Sequence, residues 1–470
     1  MQNESESSAR GGESRLVFEA GVRASVMEKV DVVVCGGGPA GVAAALAVAR
    51  SQKHMGRTPS VRLIEVHGQL GGVWTTGMLS WILDAGNKGG IMQEILDASN
   101  STREALGGDV APRRSGRAYD VEQMKLLLEQ ACVEDGVQVR LHTRVVAAHC
   151  DRSKRLTHVV TESASGREAF PASCFIDCTG SGDLAALAGC QYEFGRTEDV
   201  EGGEGKASLQ AQPMTLMCLV SGVDSKQIER FHRFDQGEYP SPKRALYDEL
   251  VRGGLAPSYT NPTLFEIYPD LFALMMNHEY GWDPHDAQHL TDATIAARLE
   301  INQLIGTLRG LGGVWENLRL VCTAAQIGIR ESRRPYGLYR VELDDLVTGR
   351  RHDDAICRCT FGIDVHATSK HRGGGSIEAK PASMLPYDIP YRALVSRDVD
   401  GLLFAGRCIS GDFYAHASYR VTGNSVAMGE AAGCAAAVAV EREKLPGDID
   451  YNQDVRPVLD GISSSYISTS

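Results

Sequence analysis

The run "VDVVVCGGGPAGVAAALAVAR", residues 30–50, constrains the fold more than any other stretch of the chain. Its first part is β-branched and apolar at successive positions, as in a parallel strand buried on both faces. Gly36, Gly37, Gly38, Pro39, Ala40 and Gly41 follow at once, then an alanine-rich helix to about Arg50. After the polar insertion "SQKHMGRTPS", a second strand "VRLIEV" carries Glu65 at its tip. The order is therefore strand, glycine turn, helix, strand, acid.

A GxGxxG pattern alone is weak, but here it directly follows a buried strand and opens a helix. Gly36 permits the tight turn, Gly38 lets the backbone approach a pyrophosphate, and Gly41 lets helix and strand pack closely. The helix N-terminus offers unpaired N–H groups and a positive dipole end to phosphate. Glu65 is placed to accept hydrogen bonds from an adenosine ribose. These residues read as a dinucleotide site. A nicotinamide dehydrogenase would continue in alternating βαβ units, whereas "HGQLGGVWTTG" follows the acid and the other sheet pieces are scattered to about residue 410. No second GxGxxG with an acid partner occurs, so no separate NADPH-binding domain is expected.

At 470 residues the chain exceeds what one compact core usually serves, and two domains are expected. Apolar content of 43% and charged content of 23% are those of a globular protein. A net charge of −12 argues against a nucleic-acid surface, which needs a basic stripe. The twelve cysteines are scattered without a C-x-x-C pair, so no metal site is expected and a reduced, cytoplasmic protein is. The N-terminal "MQNESESSARGGESR" has no apolar core of a secretory signal, and no apolar run is long enough for a membrane helix.

Further along, "GGIMQEILDAS" and "DVEQMKLLLEQACVEDG" read as helices, the latter with Asp120 as N-cap. "VQVRLHTRVVAAHCD" and "LTHVVTESASGREAFPASCFIDCTG" read as strands. Between about 195 and 385 aromatics, Pro and His become frequent around one long amphipathic helix, "LTDATIAARLEINQLIGTLRGLGG". The expected organisation is an extension over 1–27, a discontinuous nucleotide-binding domain over 28–195 and 386–445, an inserted substrate or cap domain over 196–385, and a C-terminal tail over 446–470, whose last stretch "GISSSYISTS" is expected to fray.

The motifs "DVVVCGGGPAG", "LIEVHGQLGG", "FIDCTGSGDLAALAG", "IGIRESRRPYG", "FGIDVH", "IPYRALV" and "LLFAGRCIS" with "HASYRVTGNSVAMGEAAGCAAA" run in family order over nearly the whole chain. In them the sequence resembles the FAD-dependent oxidoreductases of the glutathione-reductase-like fold, in the fumarate-reductase and halogenase neighbourhood. The resemblance implies an α/β chain: a Rossmann-like FAD-binding domain of parallel sheet plus β-meander, with an inserted α+β cap. It implies that Gly36, Gly38, Pro39, Ala40 and Gly41 hold the FAD pyrophosphate and Glu65 the adenosine ribose. Leu70, Gly71, Gly72 and Val73 would run from the pyrophosphate toward the ring. Val145 would meet adenine through its backbone, and Thr179 and Gly180 would close over the adenosine side. Where many relatives have an Asp, this chain has Gly406 followed by Arg407, which leaves the ribityl hydroxyls to another group, with Asp412 a candidate.

The closing stretch 419–440 is expected to form a helix whose Gly423, Gly429 and Gly433, with Ala432 and Ala436, bring it against the sheet and the first glycine turn. Its N-terminus at Asn424, Ser425 and Val426 would face the pyrimidine edge of the flavin, where a helix dipole contributes about 0.3–1 kcal/mol and up to about 2 when partly buried.

A flavin accepts a hydride, so the protein must position a donor carbon and handle a proton. Three clusters offer that chemistry. His416 and Arg420 precede the closing helix, and could act as base and carboxylate clamp or be structural. Arg330, Arg333 and Arg334 surround Glu331, either to reach flavin or an anionic substrate or to fix a domain interface. Asp364 and His366 could reach the cleft from the second domain. Trp74 and Trp81 could wall the ring or fill the core. The function expected is hydride transfer between a small organic substrate and FAD. Flavin monooxygenase or halogenase chemistry, or a non-catalytic FAD-binding module, are the alternatives.

Overall fold

The β-branched run becomes the middle of a sheet because Val32, Val33, Val34 and Cys35 are all fully buried. In the computed structural model, which describes residues 23–105, 118–196, 211–232, 241–369, 378 and 381–466, the strand Val30–Cys35 pairs in parallel with Val61–Ile64 on one side and Gly166–Asp177 on the other. Gln138–Arg140 extends the parallel set beyond Val61–Ile64, and Leu402–Phe404 extends it beyond Gly166–Asp177.

The long strand Gly166–Asp177 joins two parts of one sheet. Its second half, from Ala172, lies in the parallel set, whereas Gly166–Pro171 runs antiparallel to Leu156–Ser163, which pairs in turn with Arg144–Cys150. A Rossmann-like sheet and a meander thus share one backbone. This is the mixed α/β architecture expected from the sequence.

A second, antiparallel sheet orders the strands Thr263–Tyr268, Leu271–Met275, Cys218–Ser221 and Arg319–Thr323. The helix Ala287–Gly310 turns Ala293, Ala297, Ile301, Leu304, Ile305 and Leu308 inward, and these residues share one core with Phe272 and Trp315. The periodicity that marked this helix in the sequence is its buried face. Residues from the later segments, among them Val341, Leu346, Cys359, Ile363 and Tyr387, pack instead in the core of the parallel sheet.

The closing helix spans Thr422–Glu441 and is buried along almost its whole length. Its small residues face the first helix, Pro39–His54, rather than only the sheet and the glycine turn. A Cβ on Gly429 would fall 2.1 Å from the Ala40 carbonyl oxygen, and one on Gly433 2.2 Å from that of Ala44. Two helix backbones in contact leave no room for side chains between them, which accounts for the glycine and alanine content. At the helix entrance, Gly423 N donates to the Leu83 carbonyl at 3.1 Å.

The C-terminal stretch corrects the expectation of a frayed tail. Arg456–Tyr466 is helical and follows a single π turn at Tyr451–Val455. Val455 and Ile462 are buried, and Gly461 sits so close to His54 that a Cβ would fall 2.6 Å from its ring. Apolar residues at helical spacing dock this segment on the first helix; only residues 467–470 of it lie outside the described residues.

Candidate functional site

The glycine turn is built by close backbone approach. Gly36 has φ +101°, and a Cβ on Gly41 would fall 1.7 Å from the Gly36 carbonyl oxygen. Gly38 is different: a Cβ there meets nothing within 4 Å. It is the N-cap of the helix Pro39–His54 and supplies no side-chain cap, so the first N–H groups await an outside acceptor. Glu65 is buried beneath the turn, its two carboxylate oxygens accepting from Gly37 N at 2.5 Å and His67 N at 2.8 Å. Gly72 comes within reach of Gly38, where a Cβ would lie 2.9 Å from the Gly38 Cα, so the Leu70–Val73 loop covers the turn. An uncapped helix end, an open glycine and a carboxylate at the strand tip fit the pyrophosphate and ribose of a dinucleotide. On the far side, Asn424 Oδ1 is buried without a hydrogen-bond partner, while its Nδ2 donates to Cys359 Sγ at 3.2 Å.

From this cradle a cavity of about 370 Å³ extends between the two sheets. Val73 and Gly77 line it from the glycine-rich loop, Arg407 from the late strand end, and Val421 and Thr422 from the start of the closing helix. The second sheet contributes Met217, Phe265 and Met275, and Trp81 packs on Phe265 with ring centroids 5.1 Å apart. The polar groups converge at one end: Arg330, Arg420, Asp364, His366, Tyr259 and Lys243. Two guanidiniums, Arg330 and Arg420, thus face the Asp364 carboxylate in an otherwise largely apolar hollow, with Arg407 elsewhere in its lining.

Each charged group has a fixed seat. Arg330 Nη1 donates to Pro213 O at 2.7 Å and Thr215 Oγ1 at 2.8 Å. Arg420 Nη2 donates to the Asp364 carbonyl at 2.9 Å and carboxylate at 3.2 Å, and its buried Nε has no partner among the described residues. Arg407 donates through Nε to Gly180 O at 2.7 Å and through Nη1 to Ile329 O. Burial pushes Arg330 down to about 10, with Arg420 adding repulsion, and burial likewise lowers Arg407 to about 10. Both remain cationic at neutral pH. Burial raises the Asp364 carboxyl, but His366, Arg420 and Arg330 outweigh it and hold the group well below the usual carboxylate range.

The other residues singled out in the sequence have varied placements. In the arginine cluster only Arg330 lines the cavity. Arg333 pairs with Asp183 at 2.8 Å, and Arg334 is buried against Glu331 at 2.6 Å and holds Gly195 O and Gly411 O. His416 is fully buried outside the cavity lining, with neither ring nitrogen partnered among the described residues; burial, then Arg334, Arg420 and Arg407, push its pKa well down. Asp412 caps the helix Phe413–Tyr419 through Ala415 N at 2.7 Å and accepts from Leu343 N at 2.7 Å, which occupies both oxygens. Trp74 is in the first core, and Trp81 lines the cavity. Val145 lies in the meander, and Thr179 donates to Asp177 Oδ1 beside Gly180. Gly406 has φ +83° and Ser425 and Val426 are buried in the first turns of the closing helix. Lys243, Tyr259 and Phe265 carried no motif in the sequence; they reach the site from the helix Pro242–Arg252, the loop before the strand Thr263–Tyr268 and that strand itself.

A family model of FAD dependent oxidoreductases matches residues 31–459. The chain belongs to that family. It is an FAD-dependent oxidoreductase, and FAD is the cofactor for which the glycine cradle is suited. Comparison with the curated proteins returns no match. Among solved structures the oxidoreductase is similar to a geranylgeranyl bacteriochlorophyll reductase-like protein from Thermoplasma acidophilum, at 11% identity and TM-score 0.44 over 95% of this chain and 84% of that one. It is similar to the myxobacterial chondrochloren halogenase, an FAD-dependent enzyme, at 13% and 0.44 over 94% and 79%. A third is p-nitrophenol 4-monooxygenase from Pseudomonas putida, at 12% and 0.41 over 93% and 84%. Likenesses this distant do not bear on the reaction. Among the described residues no helix is long and apolar enough to cross a membrane, and no group of three or more His, Cys, Asp or Glu is placed to hold a metal ion.

Proposed function

We propose that this FAD-dependent oxidoreductase transfers a hydride between its flavin and a small organic acid. The observation that carries the reading is the polar end of the cavity, where Arg330 and Arg420 face the Asp364 carboxylate in a hollow walled by Trp81, Phe265 and Met275. Desolvated guanidiniums with one acid between them favour an anion, and their planar donors suit a carboxylate. The apolar walls take the carbon skeleton and exclude water.

Gly36, Gly38, Ala40 and Gly41 hold the pyrophosphate in this reading, Glu65 the adenosine ribose, and the start of the closing helix at Asn424–Val426 the far end of the cofactor. Bound FAD supplies the two-electron acceptor or donor. The chain's own part is to orient the acid on Arg330 and Arg420 and to manage one proton at Asp364, the carboxylate that the described residues bring to the cavity lining.

Anaerobic mixing of the yellow protein with 2-hydroxy acids, saturated dicarboxylic acids and their amides tests this. An acid is expected to bleach the flavin while its amide does not. Amides that work as well as acids overturn the choice of substrate class. Bleaching by none, with dioxygen consumed in the presence of substrate and an external reductant, would favour oxygen insertion instead.

A further inference from the structure

Behind the polar end of the cavity, side chains form a hydrogen-bonded line toward the outside that none of the roles above uses. Asp364 Oδ2 lies 3.1 Å from His366 Nε2, and His366 Nδ1 lies 3.0 Å from His278 Nε2. His278 Nδ1 lies in turn 2.9 Å from the hydroxyl of Tyr280. His366 and His278 are 5% and 2% exposed, whereas Tyr280 is partly open to solvent, so the line runs from the cavity wall to the surface.

Both rings are held in place. The His366 backbone N donates to Gln212 Oε1 at 3.1 Å, and the His278 backbone N to Ser258 Oγ at 2.8 Å. The buried Tyr259 ring packs on both imidazoles, with centroids 4.2 Å from His278 and 5.7 Å from His366. Tyr259 thus lies against both imidazoles and keeps them side by side.

Elementary donor and acceptor rules then set the protons. An ionised Asp364 only accepts, so His366 carries its proton on Nε2 and accepts at Nδ1. His278 must therefore carry its proton on Nε2 and accept at Nδ1 from the Tyr280 hydroxyl. The assignment holds with both imidazoles neutral; a second proton on His278 would make Nδ1 the donor and turn the Tyr280 hydroxyl to donate to Ser258 O at 3.4 Å. Arg330, Arg420 and Asp364 face His366; Arg330 and Arg420 face His278; Arg330, Glu279 and Glu300 face Tyr280. Burial, reinforced by Arg330, lowers His366 to about 4 and His278 well below the ordinary imidazole value, so both are neutral at pH 7.

We propose that Asp364, His366, His278 and Tyr280 form a proton relay between the cavity and the protein surface, carrying the proton that accompanies the hydride. The proposal rests on the hydride-transfer reading above. At rest every donor points inward. A proton entering at Tyr280 therefore drives one from Tyr280 to His278 Nδ1, one from His278 Nε2 to His366 Nδ1, and one from His366 Nε2 to Asp364. Asp364 releases it to the substrate and is a carboxylate again. With a hydride from reduced flavin on the neighbouring carbon, one C=C or C=O bond is reduced and oxidised flavin is left. Each inward passage leaves both imidazoles protonated on Nδ1, and the rings turn over to restore the resting array. In the oxidative direction the line starts from that opposite array: Asp364 passes its proton to His366 Nε2, His366 Nδ1 to His278 Nε2 and His278 Nδ1 to Tyr280, from which it leaves. His278 and Tyr280 touch no substrate and act through His366 and Asp364.

Two readouts test the relay separately from the choice of substrate. In the holoenzyme labelled with 15N-histidine, NMR is expected to show His366 and His278 neutral and protonated on Nε2 from pH 6 to 8. Tyr280→Phe is expected to shift the His278 Nδ1 resonance to that of an acceptor without a donor. A charged ring in that range, or an unmoved Nδ1 resonance, overturns the relay with no substrate present. With the acid that reduces the flavin, His278→Phe is expected to slow reduction about 100-fold at unchanged flavin content and substrate affinity, with recovery on adding free imidazole. Tyr280→Phe, a smaller change at a partly exposed site, is expected to slow it less and to alter the solvent deuterium isotope effect. Rates equal to the parent's in both variants overturn the role in turnover. A panel in which no acid reduces the flavin overturns the substrate reading, and the NMR result then decides the relay by itself.

Discussion

Arg420 grips Asp364 at two points, its Nη2 lying 2.9 Å from the backbone carbonyl oxygen and 3.2 Å from the carboxylate. The contact ties the start of the closing helix to the segment that carries His366, and it leaves Arg420 Nε buried and, among the described residues, unpartnered. One guanidinium thus fixes the cavity wall and keeps a donor in reserve. Removing it leaves an uncompensated carboxylate beside Arg330 alone. Arg420→Gln is expected to cost about 3 kcal/mol of stability in denaturant unfolding. Asp364→Asn in the same chain is expected to recover part of that loss, giving a coupling of at least about 1 kcal/mol in the double-mutant cycle. Strictly additive losses would show that the two groups do not interact.

Gly38, proposed to lie against the pyrophosphate, offers a test that separates cofactor binding from folding. A Cβ at this position meets nothing within 4 Å, and the backbone there has φ −71°, open to any residue. Gly38→Val is therefore expected to give a protein with the parent's apo thermal midpoint but no yellow colour. A yellow variant would remove the glycine turn from the FAD site.

Gly429 is the opposite case. Its Cβ would fall 2.1 Å from the Ala40 carbonyl oxygen, and backbone of the first helix cannot yield. Gly429→Val is expected to lose about 3 kcal/mol or more and to express poorly. A variant as stable as the parent would contradict the helix-on-helix contact.

Glu430, on the closing helix, is buried where it accepts from Ile91 N at 3.2 Å, and burial raises its carboxyl to about 7. The unfolded chain releases this proton near 4.3. A carboxyl whose folded value is raised contributes stability below the unfolded value and loses it as pH climbs to the folded one. The stability of Glu430→Gln relative to the parent is therefore expected to rise with pH between about 4.3 and 7, by on the order of 1.4 kcal/mol per pH unit. Urea unfolding at several pH values measures it. A difference that stays flat would place an ionised carboxylate in the core.

The nucleotide cradle was legible because its parts are neighbours in sequence. Strand, glycines, helix and Glu65 lie within one βαβ unit, and local spacing dictates their geometry. Arg330, Arg420, Asp364 and His366 could be singled out as chemistry-bearing, yet the sequence says nothing of their meeting, which is produced by the placement of the second sheet. His278 and Tyr280 gave no signal. The hydrogen bond from His278 to His366 joins positions 88 residues apart, and nothing in the sequence around His278 marks it. His416 shows the converse: it precedes Arg420 in the same motif, but the helix Phe413–Tyr419 turns it into the core. The C-terminal helix was missed because a serine-rich stretch masks the apolar spacing of Val455 and Ile462, which only the surface of the first helix makes useful.

The central claim is that the cavity beside the flavin holds a carboxylate on Arg330 and Arg420. Titration of the oxidised holoenzyme with benzoate, followed by the change in flavin absorbance, tests it most directly, with benzamide as the uncharged control. A saturable change with benzoate but not benzamide is predicted, weakened at least about tenfold in Arg330→Gln, equivalent to about 1.4 kcal/mol. No spectral change with benzoate, or equal affinity in the parent and the variant, would contradict it.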